Sequence, residues 1–209
     1  MSSHHFVKEQ QEPALLLLDT AQLSYEQIAP LLEWVPTVLV AEPMVERVLS
    51  WGIKIDVILA TREYQKAHFN LLEEQYPLRF LTCPSGDYLQ EGLQYLIATK
   101  HTAVNIIGYD HRHVFALEAT LDLINVVIFD GPIRYFPVRE KTFKKWFPQS
   151  SIQLHAPDET LIEMKTDTDS QFIKVTHATF VEAEEGTITF QAMQPFWIGE
   201  MIGDGNSQP

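Results

Sequence analysis

The densest group of reactive side chains is the run Gly108-Tyr109-Asp110-His111-Arg112-His113. Asp110, His111 and His113 are residue types that ligate zinc and similar ions. Arg112 is suited to clamp a phosphate bidentately, with His111 and His113 as further donors to an anion. An exposed polar loop with no ligand is the alternative reading, because no second His-x-x-x-His or Cys cluster supports a metal site. A second group is Ala60-Thr61-Arg62-Glu63-Tyr64, where Arg62 can hold a phosphate and Glu63 a divalent cation. The plain alternative is a charged loop with Glu63 near the positive end of a helix. In Cys83-Pro84-Ser85-Gly86-Asp87-Tyr88, Asp87 reads as a helix N-cap with Gln90 in the capping-box position. After Val40 comes Ala41-Glu42-Pro43-Met44, where Glu42 would repel an anion and no glycine lets the backbone approach one. Walker A, G-x-G-x-x-G and G-x-S-x-G patterns are all absent, so residue chemistry alone names no reaction.

These groups all follow short apolar segments, at 14–19, 36–42, 55–60, 78–83, 103–109 and 125–130. Each is nearly continuously apolar, as strands covered on both faces are. Helical patterns separate most of them, near 25–34, 44–50, 65–75, 88–100 and 114–125. The order βαβα predicts an α/β fold with a mostly parallel, doubly wound, Rossmann-like sheet. Ligands of such sheets bind at the carboxyl ends of the strands, where strand order reverses.

From Ser151 the helical period vanishes. Short alternating runs replace it at 152–155, 161–164, 172–175, 178–182, 187–191 and 196–201. They predict a small antiparallel β-sandwich, with Glu185-Gly186 as a hairpin turn. The organisation expected is a disordered tail over 1–12, an α/β domain over 13–140 and a sandwich over 150–203. Residues 143–147 serve as the connecting segment, and His4–His5 in the tail are a minor candidate for metal binding.

The chain has 209 residues and a formal net charge of −13. That charge argues against nucleic acid or an anionic membrane as partner, because both select a basic face. It leaves room for a nucleotide, whose phosphates a few local donors can hold. The longest apolar run is too short to span a bilayer. One cysteine, Cys83, excludes an internal disulfide and fits a reducing cytoplasm.

The element order resembles thiamine pyrophosphokinase, most closely from Leu15 to Pro137. Val38-Leu39-Val40-Ala41-Glu42, Val45 to Leu49 and Gly52-Ile53-Lys54-Ile55-Asp56-Val57-Ile58-Leu59 are similar to the family's passage from its second strand into its third. Gly92-Leu93-Gln94-Tyr95-Leu96 looks like the helix after its aspartate-rich loop. Ile106-Ile107-Gly108, Phe129-Asp130 and Tyr135-Phe136 resemble the strands around its glycine-arginine-aspartate-histidine motif. The resemblance implies an α/β catalytic domain followed by a sandwich, a homodimer, and magnesium-dependent pyrophosphoryl transfer from ATP to thiamine.

The family's motifs are altered in this chain. Ala60-Thr61-Arg62-Glu63-Tyr64 stands where the family has Gly-Asp-x-Asp-Ser, and only Glu63 keeps a carboxylate. Tyr88 replaces the second of two spaced aspartates, and Asp87 lies one residue off. Arg112 matches the motif arginine, while Val114 and Phe115 replace the aspartate and histidine that follow. The resemblance therefore implies Glu63 and Asp87 as the remaining catalytic carboxylates and metal ligands and Arg112 on a phosphate; the residue types themselves add Asp110 to the metal ligands and Arg62, His111 and His113 to the phosphate donors. Loss of most magnesium ligands removes most of the catalysis in such a transfer. Three readings stay open: an active enzyme using ATP and Mg2+, a pseudoenzyme that still binds thiamine or a nucleotide, and a homodimeric scaffold with no small ligand.

Overall fold

The computed structural model describes residues 12–176 and 179–202. The expected tail and its His4–His5 pair lie outside them, apart from Glu12. The chain divides into two compact units between Gly131 and Pro132.

In the first unit the apolar segments form six strands: β1 (Ala14–Leu17), β2 (Val38–Ala41), β3 (Val57–Ala60), β4 (Arg79–Thr82), β5 (Ala103–Ile107) and β6 (Asn125–Asp130). All pair in parallel, in the order β6-β5-β1-β2-β3-β4. Every residue of β1, β2 and β3 is buried, which is why these segments carry no polar face. Strand order reverses between β1 and β5, so the expected doubly wound sheet with one switch point is present.

The helices are shorter than the periodicity predicts. The first stretch gives α1 (Tyr25–Ile28) and then a 3-10 turn (Ala29–Leu32). Pro30 has no N–H to donate back into an α-helix, so the turn tightens there. Gln27 Oε1 accepts the Ser24 backbone N–H at 3.0 Å, in the expected capping box. A 3-10 turn (Glu42–Met44) leads into α2 (Val45–Ser50). The third stretch starts three residues early and breaks into α3 (Arg62–Ala67) and α4 (Leu71–Glu74). The break is at His68, whose backbone turns to φ −120° and whose ring stacks on Tyr64 with centroids 3.9 Å apart. The fourth, α5 (Tyr88–Ala98), is as expected. A Cβ on its Gly92 would stand 3.1 Å from Leu16, so the helix lies close against β1. The fifth is a 3-10 segment (His111–Thr120) rather than an α-helix. Its buried Val114 and Leu117 are three apart, the repeat of a 3-10 turn.

The second unit is two antiparallel sheets: β7 (Ile133–Val138), β14 (Phe196–Met201), β9 (Ser150–His155) and β12 (Thr179–Ala183) in one, and β8 (Thr142–Phe147), β13 (Gly186–Ala192), β10 (Leu161–Lys165) and β11 (Ser170–Lys174) in the other. Val138, Ile152, Leu154, Phe196 and Ile198 from the first meet Phe147, Ile162, Met164 and Phe190 from the second in one core. The sandwich is thus as expected, with two corrections. Residues 143–147 are not a connector but lie in β8, paired with β13. Glu185-Gly186 is not a hairpin turn, because β12 pairs with β9 while β13 pairs with β8 and β10. The two strands it joins belong to different sheets. Among the described residues no helix is long and apolar enough to cross a membrane.

Candidate functional site

The carboxyl ends of β2, β3, β4 and β5 carry the candidate groups at 42, 60–64, 83–88 and 108–113. At the ends of β2 and β3 the chain satisfies itself. Glu42 Oε2 accepts the Thr61 backbone N–H at 2.7 Å and the Thr61 hydroxyl at 2.9 Å. Thr61 in turn caps α3 by accepting from the Tyr64 N–H at 3.3 Å. The protein's own carboxylate therefore sits where an anion would be drawn, at the amide-rich start of that helix. Arg62 and Glu63 are exposed, and their side chains make no hydrogen bond or ion pair with any described residue.

After β4, Asp87 is the N-cap of α5, as its position predicts: Oδ1 accepts the Gln90 N–H at 3.0 Å. Cys83 behind it is fully buried. Burial first, then the charges of Glu91, Asp87 and Glu42, push its thiol up to about 11 against a weaker opposing hydrogen bond. The thiol stays protonated at neutral pH and is no nucleophile. Asp87 and Tyr109 line one cavity of about 690 Å³ between α5 and the 3-10 segment, with Leu93, Ile97, Leu117 and Leu123 among its apolar walls. Burial, followed by the carboxylates of Asp110 and Asp87, pushes the Tyr109 phenol above its usual pKa.

The ends of β5 and β6 hold the tightest cluster. Gly108 turns the chain at φ +79°, and its N–H donates to the Phe129 carbonyl at 2.9 Å. That turn brings the next residues over the end of β6. Asp130 Oδ2 accepts both the His111 Nδ1–H at 2.7 Å and the His111 backbone N–H at 3.0 Å. Asp110 accepts the Arg112 N–H at 2.9 Å and its guanidinium at 2.5 to 3.0 Å. The Arg112 hydrogen bonds hold the Asp110 carboxyl well below the usual carboxylate range, against a partial desolvation penalty. His113 Nε2 lies 3.9 Å from Asp110, and its side chain is 69% exposed.

These positions test the expected magnesium set. Glu63 follows β3 and Asp110 follows β5, with β1 and β2 between them. Among the described residues the ligand atoms of Glu63 and Asp87 do not fall into a group with Asp110, whereas magnesium holds its ligands at about 2.1 Å. Glu63, Asp87 and Asp110 therefore do not form one coordination shell. The group the structure gathers is Asp110, His111 and Asp130, whose ligand atoms lie within 4.8 Å of one another. It contains an imidazole. That donor set does not fit magnesium, which selects an octahedron of oxygens. Asp130 was not among the residues singled out by sequence. It lies 19 positions from His111, and only the pairing of β5 with β6 makes the two neighbours.

No protein-family model and no curated protein matches the chain by sequence. Solved structures do match it in fold. A thiamin pyrophosphokinase from Geobacillus thermodenitrificans superposes with a TM-score of 0.67 at 12% identity, over 93% of this chain and 99% of that one. The enzyme from Bacillus subtilis gives 0.65 at 9%, over 91% and 98%. That from Candida albicans gives 0.67 at 7%, over 95% and 91%. The chain has the thiamin pyrophosphokinase fold.

Proposed function

We propose that this chain is a thiamine pyrophosphokinase-like protein of transferase descent whose magnesium-dependent reaction is lost or much reduced, and which retains binding of thiamine or a nucleotide. The fold likeness supports the first part. The carrying observation for the second is the carboxylate arrangement: among the described residues neither Glu63 nor Asp87 is grouped with Asp110. Pyrophosphoryl transfer relies on cations that neutralise developing charge, and these residues give such a cation no shell. Retained binding is supported by the cavity of about 690 Å³ beside Asp87 and Tyr109, within the volume range of small-molecule sites. Its apolar walls and single carboxylate suit a cationic heterocycle such as thiamine.

Homodimerisation and a cytoplasmic setting belong to the same reading. The first is carried over from the resemblance. The second rests on one buried, unpaired cysteine.

Calorimetric titration with ATP, thiamine and thiamine diphosphate, each with and without magnesium, tests the proposal beside an assay for AMP and thiamine diphosphate. Heat of binding without product is the expected result. Magnesium-dependent turnover would overturn the loss of activity, and no heat from any ligand would overturn the retained binding.

A further inference from the structure

The Asp110–His111–Asp130 group is well placed to do something other than bind magnesium. Parallel pairing of β5 with β6 sets Ile107 opposite Phe129, and the Gly108 turn is locked to the Phe129 carbonyl. Asp130 thus ends β6, while Asp110 caps and His111 opens the 3-10 segment that follows the Gly108 turn, so one ligand stands on the sheet and two are held against it by hydrogen bonds. They are half-buried, with 32%, 22% and 24% of the side-chain surface exposed. Two carboxylates and one guanidinium surround the imidazole.

The spacings are close to those of a coordination shell. His111 Nδ1 is 2.7 Å from Asp130 Oδ2 and 4.0 Å from Asp110 Oδ1. Ligand atoms about 2.0–2.2 Å from a tetrahedral ion stand roughly 3.3–3.6 Å from one another. The two observed distances straddle that value, and all three ligand atoms lie within 4.8 Å of one another, so side-chain shifts on the order of 1 Å would close the shell. One imidazole nitrogen with two carboxylate oxygens suits a borderline transition-metal dication better than the hard magnesium ion.

We propose that Asp110, His111 and Asp130 form a mononuclear site for a transition-metal dication of the zinc class. The ion takes the place of the proton that His111 Nδ1 now donates to Asp130, and that proton moves by way of solvent to Nε2, so the ring coordinates through Nδ1 as an imidazole with its N–H on Nε2. The remaining coordination positions belong to water or to an anionic ligand. Arg112 is a competitor for Asp110: its side chain is 75% exposed, and exposed ion pairs of this kind are weak. The inference does not rest on the proposed loss of pyrophosphoryl transfer.

Equilibrium dialysis of the full chain against micromolar zinc, read by elemental analysis, tests it. The expected result is about one zinc per chain, retained in the His4→Ala/His5→Ala double variant and not displaced by millimolar magnesium. His111→Ala and Asp130→Asn are each expected to weaken it by more than about tenfold. Asp110→Asn, at the most exposed of the three positions, keeps the test open should Asp130→Asn fail to fold by circular dichroism. Arg112→Ala is expected to tighten binding severalfold by releasing Asp110. Cobalt in place of zinc is expected to give visible d–d absorption that His111→Ala abolishes. No stoichiometric zinc, zinc carried by His4 and His5 alone, or binding unchanged in His111→Ala would overturn the proposal.

Discussion

The backbone of Asp19 lies against Gly108 so closely that a Cβ on Gly108 would stand 2.0 Å from the Asp19 carbonyl oxygen. This contact is at the switch point itself, between the ends of β1 and β5. The Asp19 N–H also donates to the Ile107 carbonyl at 3.3 Å. Main chain from the two strand ends therefore meets at the point where open α/β sheets commonly admit a ligand. The polar cluster is displaced sideways, to the β5–β6 end.

Gly108→Ala combines that backbone clash with a left-handed φ of +79°. Neither can be relieved by rotating a side chain. A loss of more than about 3 kcal/mol in urea unfolding is the expected outcome. A loss below about 1 kcal/mol would mean that Asp19 can withdraw.

The Glu42 carboxylate ties the end of β2 to that of β3 through two hydrogen bonds to Thr61. Hydrogen bonds to charged groups contribute about 1.5–3 kcal/mol. Glu42→Ala is expected to cost a sum in that range. Thr61→Ala on top of it should add less than it does alone, because the two residues share one interaction. Strict additivity in the double-mutant cycle would show that the carboxylate is not held there.

Cys83 is buried, with a thiol pushed up to about 11. A disulfide reagent such as DTNB is expected to leave it untouched at pH 8 in the folded protein and to titrate it once denaturant is added. Rapid labelling of the native chain would contradict its placement.

His101 makes stability depend on pH. Thr99 donates its only hydroxyl proton to the backbone carbonyl of Tyr95 (2.8 Å), so it accepts from His101 Nδ1–H at 2.9 Å. His101 Nε2 meets the Thr37 hydroxyl at 3.1 Å. Both ring nitrogens are thus satisfied in the neutral form. Burial pushes the imidazole below its ordinary value, against a smaller opposing hydrogen bond. The unfolded chain consequently holds more protons near and below pH 6.5, the unfolded value. This contribution is complete above that pH and falls as the pH drops from about 6.5 toward the folded-state value. Its slope is at most about 1.4 kcal/mol per pH unit. Chemical denaturation of His101→Gln between pH 7 and pH 5 should show a flatter acid limb than the parent.

Most of the frame was legible in the order of residues. A four-residue strand such as β1, buried on both faces, has to be continuously apolar, and Ala14 to Leu17 is. Asp87 ahead of Tyr88, with Gln90 three residues on, is a cap wherever it folds, and it caps. The parallel sheet, the switch from helical to alternating period and the sandwich follow from patterns of this local kind. Elements whose end is a matter of local competition were harder to read. The α3–α4 break at His68 and the 3-10 form of the segment from His111 to Thr120 depend on which carbonyl each N–H reaches, and hydrophobic spacing is silent on that. The role of the segment at 143–147 was hidden too, because a strand is defined by its partner and β13 comes some forty residues later.

The site belongs to the second category. Local composition placed Asp110, His111 and Arg112 in one polar loop and no more. Tertiary structure decided that Asp110 pairs with its neighbour, that Glu63 stands strands away, and that Asp130 reaches His111. Side-chain chemistry is set by groups within a few ångströms, and distances between strand ends follow the order of strands in the sheet rather than the order of residues in the chain. Periodicity along the backbone dictates that a sheet forms; lateral strand order dictates which carboxylates can meet.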